Sequence, residues 1–157
     1  MTRSHRFRPR YRGMAWSAIG VAGAVAIAGL ALGAAATPFI ISSVGASFGL
    51  LYLGSPTWRV VVITDDVGIE VKTRKKTIFR LAWTDVKRVV ASESTHTAFV
   101  DGGTAETSLL VPGDGAPAPY AIEDAAALVD TILARVTPDK IERVESLDRA
   151  PKSDRPA

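Results

Sequence analysis

Few side chains in this chain have the types and spacing that catalysis needs. The two histidines, His5 and His96, lie far apart, and neither has carboxylates or a second imidazole at metal-ligand spacing. Cysteine is absent, which removes thiolate nucleophiles, disulfides and thiolate-held metals. Asp65-Asp66 and Glu123-Asp124 are adjacent pairs. Neighbours in a strand point to opposite faces, so neither pair converges on a substrate; a turn and a helix start account for them better. Gly102-Gly103 follows Asp101 as a tight-turn signal and lacks the lysine of a phosphate-binding loop. These residues predict no enzyme activity, no metal and no cofactor.

One cluster remains. Lys72, Arg74, Lys75, Lys76 and Arg80 gather five cations within nine residues. Beside an anionic membrane surface each would contribute about 1 kcal/mol. In bulk solvent they would serve as edge charges that discourage strand-to-strand aggregation.

The elements that must carry this cluster are short strands. Val60 to Ile63 is β-branched throughout, and Thr64-Asp65-Asp66 turns it. Val67 to Thr73 and Thr77 to Trp83 both alternate, with Val67, Ile69 and Val71 on one inward face and Phe79, Leu81 and Trp83 on the other. A three-residue turn, Arg74-Lys75-Lys76, pairs Val71 with Phe79, Ile69 with Leu81 and Glu70 with Arg80. A two-residue turn would set Val71 against Ile78 and reverse the faces. Lys72 and Arg80 then point outward, and the other three cations sit at the tip. Further strands are expected at Val86–Val90, Thr95–Val100, Thr104–Val111 and Tyr120–Ile122, six or seven antiparallel strands in all. Ile122, Ala125, Ala126, Val129, Ile132, Leu133 and Val136 then recur at three and four, which predicts an amphipathic helix over Glu123–Val136 that Pro138 stops. From 138 to 157 the chain is charged and is expected to be mostly disordered.

Ahead of these strands, residues 13–58 form a run of 46 without Asp, Glu, Lys or Arg. Met14–Ala36 is long enough to cross a bilayer. After Thr37-Pro38, an N-cap and a first-turn proline, Pro38–Leu53 supplies 16 more residues, about 24 Å as a helix. Tyr11 and Trp16 at the outer end of one segment, and Tyr52 and Trp58 at the outer end of the other, suit a hairpin whose two ends share one interface. Gly29 and Gly33, and Gly45 and Gly49, stand at the four-residue spacing that lets helix backbones approach. A cleaved signal peptide and a single span with a re-entrant second segment are the competing readings. Five arginines, Arg3, Arg6, Arg8, Arg10 and Arg12, precede the run, while 14 basic and 16 acidic residues follow it. The excess positive charge is confined to the tail, which argues against nucleic-acid binding and for a cytoplasmic N-terminus.

A hairpin, then six or seven short strands, then one helix resembles the bacterial PH-domain-like membrane proteins. The stretch Arg80-Leu81-Ala82-Trp83-Thr84-Asp85-Val86-Lys87-Arg88-Val89 is similar to the place in that family where a strand ends in tryptophan and the next opens after a polar pair. Ile63-Thr64-Asp65-Asp66-Val67-Gly68-Ile69 resembles its first hairpin. The resemblance implies a partly open β-barrel capped by a C-terminal α-helix, without enzyme activity. Phosphoinositide binding does not carry over, because the first turn here is acidic.

The expected organisation is a basic cytoplasmic tail at 1–13, a two-helix transmembrane hairpin at 14–55, a PH-like domain at 57–137 and a charged tail at 138–157. The expected role is a multi-pass module of the bacterial inner membrane with both termini cytoplasmic. It would present its barrel to a protein or anionic-lipid partner. Two rival expectations are a small accessory subunit whose hairpin is the working part, and an exported domain on an N-terminal anchor.

Overall fold

The computed structural model describes residues 2–33, 36–92, 94–113, 116 and 118–145. The chain divides into two compact units, residues 9–58 and residues 1–8 with 59–157.

In the first unit, α1 (Arg12–Ala31) and α2 (Thr37–Leu53) pack on each other. Their buried positions are Ala15, Ala22 and Gly29 on α1 and Ser42 and Gly49 on α2. All are small, and they recur every seven residues, the spacing of a left-handed helix pair. The large apolar side chains, Val21, Ile27, Leu30, Ile40, Phe48 and Leu51 among them, point outward instead. Both helices are long and apolar enough to cross a membrane, the second when its 3₁₀ extension to Arg59 is included. Ala36, not Thr37, is the N-cap of α2, and no side-chain bond closes it. The outer ends of the two helices meet: the Tyr11 amide donates to the Tyr52 hydroxyl at 2.9 Å, and Trp58 Nε1–H donates to the Tyr52 carbonyl at 2.6 Å. Tyr52 and Trp58 also pack edge to face.

The second unit is mostly β. Its strands are β1 (Arg3–Pro9), β2 (Val61–Thr64), β3 (Gly68–Lys72), β4 (Thr77–Ala82), β5 (Arg88–Ser92), β6 (Thr97–Asp101), β7 (Leu109–Val111), β8 (Tyr120–Ile122) and β9 (Ile141–Val144), with α3 (Ala125–Arg135) between the last two. They form a five-stranded sheet in the order β4-β3-β2-β1-β8 and a four-stranded sheet in the order β7-β6-β5-β9, and the two do not close into one barrel. Both sheets contribute to one core. Val62, Ile69, Val71 and Leu81 from the first meet Val89, Ala91, Val100 and Val111 from the second, and Leu128, Val129, Ile132 and Val136 come in from α3 and the residue that caps it.

The β3–β4 register is the one the alternation predicts: Val71 pairs with Phe79, Glu70 with Arg80 and Ile69 with Leu81. The turn differs. Thr73 and Lys76 bond across Arg74-Lys75, so the turn has two residues, and a bulge between Val71 and Lys72 restores the faces. Neither Arg74 nor Lys75 adopts positive φ, so this is not a mirror-type hairpin turn, and the bulge absorbs the twist mismatch. Gly68 pairs with Ala82, where a Cβ would lie 2.1 Å from the Leu81 carbonyl oxygen.

Four expectations change. Residues 3–9 are not a structureless tail: His5 and Phe7 alternate inward between outward Ser4, Arg6 and Arg8, and Arg3–Arg6 pairs with Val61–Thr64. The density of arginine masks this two-residue period, because the inward residues are a histidine and a phenylalanine. Nor is the start of the charged C-terminal stretch disordered: Ile141–Val144 is a strand. It runs parallel to β5, held at its end where Ser92 and Ser94 hydroxyls donate to the Glu145 carbonyl. Among the described residues the strands therefore number nine and are not all antiparallel; the rest of the expected C-terminal tail lies outside the described residues. The β6–β7 connection is no tight glycine turn. Gly103 takes φ +93 and a 3₁₀ turn at Ala105–Thr107 follows, so the return strand begins only at Leu109. Finally, Glu123 and Asp124 precede α3 rather than forming its first turn; Asp124 is its N-cap in the left-handed region, at φ 51.

Candidate functional site

The cationic cluster sits on the β3–β4 hairpin. Thr73 fastens its turn without glycine: its amide and its hydroxyl both donate to the Lys76 carbonyl, at 2.8 and 3.1 Å, and the Lys76 amide donates back to the Thr73 hydroxyl at 3.2 Å. Arg74, Lys75 and Lys76 are exposed at this tip, and none has an ion-pair partner among the described residues. The turn backbone is braced, so an anionic surface meeting its three cations would have only their side chains to order.

The other two predicted members differ. Lys72 is half-buried on β3. Arg80 reaches Asp65 at 3.2 Å, so its charge is neutralised within the fold. Asp65 organises the neighbouring turn: its Oδ1 accepts the amides of Val67 and Gly68, each at 2.8 Å, and its carbonyl accepts Trp83 Nε1–H at 3.0 Å. The Gly68 and Val67 amides, with Arg80 beside them, hold the Asp65 carboxyl below its ordinary value. Asp66 is lowered first by its bond to Arg135. The acidic first turn is thus structural, and the sequence-predicted patch contracts to its tip.

The four glycines of the helix pair separate in the same way. A Cβ on Gly49 would stand 2.6 Å from Ile19 Cγ1 and 2.9 Å from the Ala15 carbonyl oxygen, and one on Gly29 would stand 2.9 Å from Pro38 Cβ. Gly45 faces Ala22 at an ordinary 3.7 Å. Gly33 faces nothing within 4 Å and takes φ +61, so it serves the turn after α1 and not the packing.

His96 is exposed at φ 51 in the turn before β6. His5 is buried, its Nδ1 3.0 Å from the Glu123 carbonyl, a structural role that its place in an arginine-rich start concealed. No group of three or more His, Cys, Asp or Glu converges as a metal site among the described residues. Compared with protein-family models, with curated proteins and with solved structures, the chain finds no match in any of the three.

Proposed function

We propose that this chain is a membrane-anchored PH-like binding module that catalyses nothing and whose β3–β4 tip engages anionic lipid headgroups. In this reading α1 and α2 form a transmembrane hairpin in the bacterial inner membrane, and both termini lie on the cytoplasmic side. The observation that carries it is the inversion of the helix pair, small residues inside and large apolar ones outside. Water would penalise such a surface and hydrocarbon favours it. The pairing of β1 with β2 supports the hairpin, since it joins chain from before α1 to chain from after α2 in one sheet. Arg10 and Arg12 at the start of α1 favour a cytoplasmic location for that end. The predicted β3–β4 register and the helix packed on both sheets support the PH-like comparison; β1 and the parallel β9 are additions to that pattern.

The full chain in nanodiscs of neutral lipid should bind vesicles rich in phosphatidylglycerol. Lys75→Glu with Lys76→Glu removes two cations and adds two anions, so affinity should fall by at least about 2 kcal/mol, or about 30-fold. Unchanged affinity, or no binding by the unaltered protein, would eliminate the lipid partner and leave a protein partner for the same surface.

A further inference from the structure

We propose that a groove between α3 and the paired ends of β1 and β2 binds a small zwitterion. The groove is ≈ 440 Å³, room for a small polar molecule, and lies wholly within the β-rich unit. Ala127, Asp130, Thr131 and Ala134 form its helical wall, at the three- and four-residue spacing of a single face. The two alanines leave the space. Arg3 and Thr64, cross-strand neighbours on β1 and β2, form the other wall.

Two further charged groups at the rim, Asp65 and Arg135, are held by Arg80 at 3.2 Å and by Asp66 at 2.6 Å. Arg3 and Asp130 are not so engaged: neither has an ion-pair partner among the described residues, and no ion pair joins them to each other. One groove therefore offers a free guanidinium on the strand side and a free carboxylate on the helix side. Opposite charges held apart suit a ligand that carries both, an anionic group toward Arg3 and an ammonium toward Asp130.

A separate observation points to a ligand at the same place. Thr64 lines the groove, is 2% exposed, and its hydroxyl has no hydrogen-bond partner among the described residues. Buried polar atoms are rarely left unpaired. One step along the same sheet face, His5 repeats the pattern. Its Nδ1–H donates to the Glu123 carbonyl, and its Nε2 is buried without a partner among the described residues. The sheet wall of the groove and the next position along the same face thus hold a hydroxyl and a ring nitrogen with no partner among the described residues.

The test uses the full chain in detergent micelles, with glycine and O-phosphoethanolamine as probes, read by thermal shift and calorimetry. At least one probe should raise the melting temperature saturably, with affinity cut about tenfold or more by Asp130→Asn and by Arg3→Gln. Thr64→Val should lose binding without melting earlier, which separates loss of the site from loss of the fold. Inorganic phosphate, acetate and ethanolamine, each carrying charge of one sign only, should bind at least about tenfold more weakly. A parallel arm in nanodiscs with and without phosphatidylethanolamine identifies a lipid headgroup as the source, if stabilisation by that lipid disappears in Asp130→Asn. The proposal is overturned if neither arm shows stabilisation, if a single-charge probe matches the zwitterion, or if Asp130→Asn and Arg3→Gln bind as the unaltered protein does.

Discussion

Gly68 faces Ala82 with a carbonyl oxygen 2.1 Å from where a Cβ would stand, and that oxygen belongs to the β4 backbone, which cannot swing aside. Gly68→Ala must therefore part β3 from β4 and should destabilise the β-rich unit by about 2 kcal/mol or more. Thermal melts of the two proteins in the same detergent check it. Asp65, three residues earlier, gives a pH signature. Its carboxyl is lowered in the folded state by the Gly68 and Val67 amides, so the stability it contributes is present above the ordinary carboxylate value of about 4 and is lost as pH falls through the lower folded value. Asp65→Asn keeps a side-chain oxygen for the turn but cannot titrate. Below about pH 4 its melting temperature should fall less steeply with acid than that of the unaltered protein. A parallel fall in both would show that Asp65 plays no part in acid sensitivity.

The elements differ in how plainly residue pattern foretells them. The inward faces of β3 and β4 were legible because Ile69, Val71, Phe79, Leu81 and Trp83 alternate and one of only two registers joins them; Val67, expected inward with them, precedes β3 and is 59% exposed. The bulge that achieves the register was not legible, since Ile78 looks like any strand residue until the turn geometry excludes mirror-type dihedrals. In the helix pair, four-residue glycine spacing drew attention to Gly33, which merely turns the chain. The working seam recurs at seven and includes Ala15, Ala22 and Ser42, residues too common in an apolar run to stand out. This seam is open to direct measurement. Ala22 Cβ lies 3.7 Å from an ideal Cβ at Gly45, close to the usual disulfide separation of about 3.8 Å. With no native cysteine as background, Ala22→Cys with Gly45→Cys should cross-link within the chain on mild oxidation. Adding Gly49→Ile, which drives a branched side chain into Ile19 and the Ala15 carbonyl, should abolish the cross-link. A cross-link that survives Gly49→Ile would mean that the seam does not run through Gly49.

For the molecule as a whole, the most consequential residues are ones the composition hides. Phe7 is 9% exposed and stacks on Tyr120 at 4.7 Å, linking β1 to β8. Phe7→Ala should cost about 3 kcal/mol, and removal of residues 2–9 should leave β2 and β8 without the strand between them. Protease resistance of residues 59–145 would report both. Topology can be tested on the same protein. Cysteines placed singly at Thr2, Thr37 and Asp139, probed in intact cells with a membrane-impermeant thiol reagent, should label at Thr37 alone if α1 and α2 are a transmembrane hairpin with cytoplasmic ends. Labelling at Asp139 would reverse the assignment.

The position of β1 also dictates an order of events during synthesis. Its residues leave the ribosome before either helix, yet their neighbours β2 and β8 follow only after both apolar helices have been made. At about 5–20 residues per second, the interval between Arg6 and Val61 is several seconds, and the wait for Tyr120 is longer. Throughout that time His5 and Phe7 have no sheet to enter. If α1 and α2 cross a membrane as proposed, the sheet can form only when β1 stays on the same side as β2 and β8. A bulky N-terminal fusion would therefore interfere with maturation before it could interfere with any finished surface.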